Sequence, residues 1–306
     1  MVHIFTPGKF NTNTWLIDAV FKDLEGKKIR FGNSAYLIRT DDGHNCLINP
    51  ATQSGARSIF NTLKKLGGWP LEKIIITHSH WDHTQGVIFF RDKVEKELGN
   101  PIEIYASEKA IPYLRDQSYN TCFVAEECYA MELPNLEGII PLKDEGIIEI
   151  GKNFSLKIIE TPGHMINHIS IYDEKNNSMF VGDTIGMSWF PDFFICNANS
   201  AFWNKSEYLE SIRKIQSFNL DYLCIAHFGV FTERNIASFI NGSVETYYKW
   251  MELFKHNENY LDNPGYIRDI LWENIYKQFS KVETLKDTIL NSVINAIQYY
   301  RGLVLI

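Results

Sequence analysis

Four side chains that bind metal ions well, His78, His80, Asp82 and His83, fall within six consecutive positions. They stand in Thr77-His78-Ser79-His80-Trp81-Asp82-His83, directly after the apolar run Lys73-Ile74-Ile75-Ile76. That run is short, β-branched and preceded by Trp69-Pro70, which predicts a buried strand. Alternate side chains of an extended segment point the same way. His78, His80 and Asp82 are therefore expected on one face, with His83 following as the backbone turns. Imidazole and carboxylate are ligands that zinc and iron(II) favour. Three of the nine histidines lie in this one hexapeptide. Packing gives no reason to place them there, and buried they would each require a partner.

Three further apolar runs end in the same way. Leu156-Lys157-Ile158-Ile159 leads into Thr161-Pro162-Gly163-His164, and Met179-Phe180-Val181 into Gly182-Asp183-Thr184. Residues 220–225 lead into Ala226-His227-Phe228-Gly229. Four strands are thus expected to end in His or Asp, three of them beside a glycine. Glycine allows backbone and ligand to approach closely. Sites in layered α/β folds collect at such strand ends.

The elements that must carry these residues read as two strand-rich halves followed by helices. Trp15-Leu16-Ile17-Asp18, Ala35-Tyr36-Leu37-Ile38 and Asn45-Cys46-Leu47-Ile48 predict strands, with Asp41-Asp42-Gly43 as a hairpin turn. Ile59, Leu63 and Leu66 at helical spacing, closed by Gly67-Gly68, predict a helix over 56–66. Val87, Phe90, Val94 and Leu98 predict another from Gly86 to Leu98, stopped by Gly99-Asn100. Ile102-Glu103-Ile104-Tyr105 is a strand, and Ser107-Glu108 opens a further helix. Residues 111–137 carry scattered aromatics and read as an insertion of short helices, either over the site or plain surface packing. Strands return over 139–182, with 173–177 as a hairpin loop. Trp189, Phe190, Phe193, Phe194, Phe202 and Trp203 form an aromatic stretch that is read as pocket wall or interface. A helix is expected over 206–217. After His227 helices follow, over 236–254, from Asn263-Pro264, and over 282–300. No fixed-period repeat or low-complexity tract occurs.

Composition bounds the chemistry. The chain has 306 residues, 45% hydrophobic and 22% charged, in the ordinary globular range. A formal net charge of −7 without a Lys/Arg run argues against a nucleic-acid partner. The five cysteines, Cys46, Cys122, Cys128, Cys196 and Cys224, are dispersed and form no CxxC pair, which fits a reducing compartment. The start shows no signal peptide, and no run of about 18 apolar residues suggests a membrane span. A cytoplasmic location without membrane association is therefore expected.

Taken together, His78-x-His80-x-Asp82-His83, Thr161-Pro162-Gly163-His164, Gly182-Asp183-Thr184 and His227 resemble the metallo-β-lactamase superfamily over roughly residues 30–230. The resemblance implies an α/β fold, a four-layer αβ/βα sandwich with the site at one edge of two sheets. Residues 1–235 would form that domain and 236–306 a C-terminal helical extension packed on it. It further implies that His78, His80 and His164 bind one divalent metal, that Asp82, His83 and His227 bind a second, and that Asp183 bridges them. Zinc is the expected metal, with iron and manganese as alternatives. A hydroxide held between such ions at neutral pH would be the nucleophile, and Asp82 could orient it. His168 reads either as holding a ligand by a hydrogen bond or as a core histidine at the start of a strand. His3, His44 and His256 stand away from any ligand pattern and are assigned no role.

Within the superfamily, His80 and the missing flavodoxin domain argue against the flavodiiron oxygen reductases. Asp183 in Gly-Asp-Thr argues against true zinc β-lactamases. The negative charge argues against the ribonuclease branch. What remains resembles glyoxalase II-like thioesterases, lactonases and the quinolone-signal response protein. Asn49 in Leu47-Ile48-Asn49-Pro50 departs from the aspartate common in relatives. The C-terminal basic residues form no recognisable glutathione pattern. The expected function is a dinuclear hydrolase acting on an ester, thioester or lactone carbonyl of a small molecule. The alternatives are a phosphodiesterase, or a regulatory or ligand-binding protein that retains the metal centre. A homodimer is left open.

Overall fold

In the strand Ser34–Arg39 the side chains alternate between two apolar layers. Ala35 and Leu37 join one cluster and Tyr36 and Ile38 another. This alternation, repeated across neighbouring strands, builds a sheet buried on both faces. The computed structural model describes residues 3–18, 21–22, 28–29, 33–122, 133, 135–188, 193–195, 197–198, 200, 202–278, 286 and 289–302. Among the described residues two seven-stranded sheets face each other.

The first sheet runs Ile140–Leu142, Glu103–Ser107, Lys73–Ile75, Asn45–Ile48, Ser34–Arg39, Thr14–Asp18 and Gly8–Lys9. Its first four strands are parallel, so helical crossovers must return the chain. The helices Gln53–Leu66 and Gly86–Leu98 do this. Thr52 caps the first by accepting from the Gly55 N–H, and Gly67 ends it at φ 68°. Ile59, Leu63, Phe90 and Val94 pack on Leu37, Leu47, Ile74 and Ile104 of the sheet.

The second sheet runs His3–Ile4, Val230–Thr232, Tyr222–Ile225, Ser178–Gly182, Ile169–Asp173, Phe154–Glu160 and Ile147–Gly151. Tyr36, Ile38, Ile48 and Ile75 of the first sheet meet Leu156, Ile158, Phe180 and Cys224 of the second in a shared core. On the outer face of the second sheet, Met179, Val181, Leu223 and Ile225 are covered by Tyr208 and Ile212 of Lys205–Gln216, and by Phe239 and Ile240 of Arg234–His256. The order is helices, sheet, sheet, helices, the four-layer sandwich expected from the sequence.

The C-terminal helices continue that outer layer. Trp250, Phe254, Ile267, Leu271, Val293 and Ile297 belong to the same apolar cluster as the second sheet's outer face. Asn263 caps Pro264–Leu271 by accepting from the Tyr266 N–H, as Asn263-Pro264 suggests. The last helix is observed from Leu290 to Tyr300, and the part of its expected range at 282–285 and 287–288 lies outside the described residues. Helix Arg234–His256 begins before the boundary at 235 drawn from the sequence.

Within the described residues of the aromatic stretch, Phe193, Phe194 and Trp203 form an interface with the helices. Phe193 lies 4.7 Å from Tyr276 with the rings tilted, and Trp203 lies 5.7 Å from Tyr247. The Tyr276 hydroxyl donates to the Phe194 carbonyl at 3.0 Å. Phe202 instead meets Tyr113 and Tyr119 at 5.4 and 5.8 Å. Trp189 and Phe190 lie outside the described residues, as do Phe123, Tyr129 and Met131 of the expected insertion. The described part of that insertion does reach the histidine segment, because the Tyr119 hydroxyl donates to the Ser79 carbonyl at 2.6 Å.

Candidate metal centre

The strand Lys73–Ile75 hands the chain to an extended segment that ends at His80, whose φ and ψ are −62° and 146°. The helical turn Trp81–Thr84 starts at the next residue. Here the structure corrects the expectation of a single extended face. His78 and His80 converge, but Asp82 sits with His83 on the helical turn and faces elsewhere. The chain turns because the His83 N–H and the Thr84 hydroxyl both donate to the His80 carbonyl, each at 3.1 Å. His164 follows Phe154–Glu160, Asp183 follows Ser178–Gly182, and His227 follows Tyr222–Ile225.

Seven side chains from these four strand ends meet in two groups. His78, His80, His164 and Asp183 form one, and Asp82, His83 and His227 the other, each with donor atoms within 4.8 Å of one another. In the first, His80 Nδ1 lies 3.1 Å from His78 Nε2 and 3.0 Å from His164 Nε2. In the second, Asp82 Oδ2 lies 3.2 Å from His83 Nε2 and 3.5 Å from His227 Nε2. Asp183 stands between them. Its Oδ2 is 3.7, 3.6 and 3.4 Å from Nε2 of His78, His164 and His83, and its Oδ1 is 3.4 Å from His227 Nε2.

These distances suit divalent cations. Ligand atoms about 2.0–2.1 Å from a tetrahedral zinc stand about 3.3–3.4 Å apart, by simple geometry. The observed separations of 3.0–3.7 Å bracket that value. His83 Nε2 and Asp183 Oδ1 are buried without a hydrogen bond of acceptable geometry among the described residues. Buried polar atoms of this kind are costly unless something completes them. A cation placed among them would do so.

The electrostatics divide the site. Burial holds the His78 and His164 imidazoles below their usual range, and with the neighbouring His164 it lowers His80 to about 3. All three are neutral at physiological pH, with lone pairs available. For His83 burial also acts downward, but the Asp82 and Asp183 carboxylates outweigh it and raise the group to about 10. Burial pushes Asp82 up, yet His83 and His227 draw it down to about 2. Asp183 is likewise held well below the carboxylate range by His227 and His83, against the effect of burial. A metal ion entering the second group must displace the His83 proton.

Hydrogen bonds behind these histidines set their tautomers. The Thr77 hydroxyl gives its one proton to Asn49 Oδ1 at 3.0 Å, so it accepts from His78 Nδ1–H at 3.1 Å. His78 Nε2 is left with a lone pair aimed at the site. Asn49 also takes the Thr77 N–H at 3.2 Å. Its left-handed backbone, φ 58°, is one that asparagine tolerates. Asparagine at position 49 therefore preserves the support from behind with a neutral acceptor. His164 Nδ1–H donates to the Asn197 carbonyl at 3.0 Å, which leaves its Nε2 facing inward.

His168 proves to be a supporting residue. Its ring stacks on His78 at 4.9 Å, and its Nε2 accepts the Asp183 N–H at 3.1 Å. Nδ1 is then the protonated nitrogen, 3.0 Å from the Thr184 hydroxyl and 3.1 Å from that of Thr161. Two other supports have no signature in the sequence. Asn197 Nδ2 donates to the Asp183 carbonyl at 2.9 Å, and Asn33 Nδ2 to the Asp82 carbonyl at 2.7 Å. His44 pairs with Glu72 on the surface, and His256 with the Glu252 carbonyl, both outside the site.

Comparison with known proteins agrees with this geometry. Residues 29–227 match the sequence model of the metallo-beta-lactamase superfamily. A probable metallo-hydrolase of Methanocaldococcus jannaschii is 32% identical over 155 residues, covering 51% of this chain and 68% of that protein. A hydroxyacylglutathione hydrolase of Ectopseudomonas mendocina is 28% identical over 154 residues, covering 50% of this chain and 47% of the relative. The chain thus spans about half the length of the hydroxyacylglutathione hydrolases it matches. Among solved structures, a metallo-beta-lactamase family protein of Thermus thermophilus superposes with a TM-score of 0.61 at 15% identity, covering 95% of this chain and 94% of that one. An archaeal superfamily protein of Sulfolobus tokodaii gives 0.57 at 18% identity, covering 74% and 84%. These two show the shared fold. With the four-layer sandwich, the divalent-metal donor set at its edge and the match across 29–227, the chain belongs to the metallo-beta-lactamase superfamily.

Proposed function

We propose that the protein is a dinuclear metal-dependent hydrolase that attacks the carbonyl of a small-molecule ester, thioester or lactone and breaks its acyl C–O or C–S bond. The observation that carries this reading is Asp183, whose carboxylate stands between the two donor groups with one oxygen toward His78, His164 and His83 and the other toward His227. His78, His80 and His164 would hold one ion, and Asp82, His83 and His227 the other. Zinc suits the imidazole and carboxylate donors. Bound there, divalent ions supply a hydroxide nucleophile at neutral pH and polarise the substrate carbonyl, because coordination lowers the pKa of water to about 7. Asp82 would accept a hydrogen bond from that hydroxide and orient it toward the carbonyl carbon. Thr77, Asn49 and His168 keep the donors in place, so little rearrangement precedes reaction. The residue set 1–235 would carry the chemistry, and 236–306 would be the extension packed on it.

The choice of carbonyl substrates draws support from the hydroxyacylglutathione hydrolases among the relatives. The test compares chelator-stripped protein with the same protein reloaded with zinc, on a thioester, an aryl ester, a lactone and a phosphodiester. The expected result is hydrolysis of an acyl C–O or C–S bond by reloaded protein and none by stripped protein. Reloaded protein that cleaves none of the four overturns the proposal. Cleavage of the phosphodiester alone would move the reaction to phosphorus.

A further inference from the structure

His227 is delivered by a short loop that the rest of the fold grips at several points. Phe228 has φ 68° and Gly229 φ 108°, so the backbone turns sharply just after the ligand. The Ser34 N–H donates to the Ala226 carbonyl at 2.6 Å, and the Ser34 hydroxyl accepts the Gly229 N–H at 2.8 Å. The Tyr36 hydroxyl lies 2.6 Å from the Ile225 carbonyl and 2.7 Å from that of Gly229. These contacts fix both ends of the loop, but none of them reaches the carbonyl of the left-handed Phe228.

That carbonyl is held by His3. Its Nε2 lies 2.7 Å from the Phe228 oxygen, which can only accept, so Nε2 carries the proton and donates. The ring is 4% exposed and stacks on Phe231 at 4.3 Å and 8°. It belongs to the strand His3–Ile4, whose partner strand Val230–Thr232 starts directly after the loop. A Cβ at Gly229 would come within 2.0 Å of the Ile4 oxygen, so the same strand closes against the loop from outside. A non-glycine residue in the left-handed region persists only where its surroundings over-determine it. His3 supplies that constraint at Phe228.

We propose that His3 is a positioning residue for His227. Its Nε2–H holds the Phe228 carbonyl and thereby keeps the His227 imidazole facing Asp82 and Asp183. The inference rests on the proposed reading of Asp82, His83 and His227 as the second metal group. It concerns the loop rather than the reaction.

The test measures zinc affinity stepwise, by competition with a chromophoric chelator, for intact wild type and two variants, with thermal melting alongside. His3→Phe keeps the stack on Phe231 and loses the donor. His3→Gln keeps a donor and loses the stack. For His3→Phe the affinity of one of the two ions is expected to fall about 10-fold or more, with the other unchanged, the scale typical of residues that orient ligands. His3→Gln is expected to recover most of that loss even if it melts lower. Affinities that follow melting temperature, with both ions weakened together, would show a merely structural residue and overturn the inference. Two unchanged constants in His3→Phe would overturn it alone, leaving the metal reading intact. A wild type that takes up no second ion would remove both.

Discussion

Replacing Asp183 by alanine is expected to leave the fold in place while removing most metal binding and turnover. Among the described residues, this carboxylate is the one that addresses both donor sets, at 3.4–3.7 Å from four histidine nitrogens. It also supplies one of the two carboxylates, with Asp82, among the seven donors. Without it, two divalent charges would share a pocket whose remaining donors are neutral apart from Asp82. The contacts that hold residue 183 itself are made by its main chain, the N–H to His168 and the carbonyl to Asn197. Alanine retains both. Metal content measured by mass spectrometry should drop below one ion per chain. Turnover should fall about 1,000-fold, the size of several kcal/mol of lost charge stabilisation. Circular dichroism and melting of the metal-free forms should stay close to wild type. Full metal content in the variant would mean that Asp183 does not bridge.

The second large effect is expected one residue earlier. Gly182 has φ 49°, and a Cβ there would meet His168 Nε2 at 2.4 Å, His168 Cε1 at 2.8 Å and Thr77 Oγ1 at 2.9 Å. Those atoms belong to a packed, hydrogen-bonded layer behind the ligands, with His168 and Thr77 both buried. Gly182→Ala must therefore push the imidazole off the Asp183 N–H or distort the Thr77 relay to His78. Left-handed strain of about 1–2 kcal/mol adds to overpacking of about 1–3 kcal/mol. A loss of about 3 kcal/mol is expected, read as a melting temperature lower by about 6 °C or more. Gly43→Ala is the control. It shares a positive φ, 94°, but meets nothing within 4 Å, so it should lose only the strain. Equal melting of the two variants would show that the layer behind the site can yield.

Most of the residues that cluster at the candidate site were legible in the sequence because they are local. His78, His80, Asp82 and His83 share one short segment, and His164, Asp183 and His227 each end an apolar run beside a glycine or within two residues of one. Helix limits marked by Gly67, Gly99 and Asn263 were legible for the same reason, since a cap acts on neighbours in the chain, whereas the start at Thr52 lies ahead of the helix expected over 56–66. The orientation of Asp82 was not. Period-two alternation holds only while the backbone stays extended, and the helical turn at Trp81 ends it. The supports behind the site were hidden more completely. Asn33 reaches Asp82 across 49 positions and His3 reaches Phe228 across 225. No spacing rule connects residues that meet only when strands far apart in the chain assemble into one sheet. The aromatic stretch shows the same limit. Its composition announced buried surface, yet only the packed helices show that Phe193 and Trp203 face the extension.

On the proposed reading, two buried donor groups, joined by Asp183, hold two divalent ions. Anomalous diffraction at the zinc edge from crystals grown with zinc tests it most directly. Two peaks are expected, one among His78, His80 and His164 and one among Asp82, His83 and His227, with the Asp183 carboxylate between them. A map with no peak at either group, or with density only elsewhere on the chain, would contradict it.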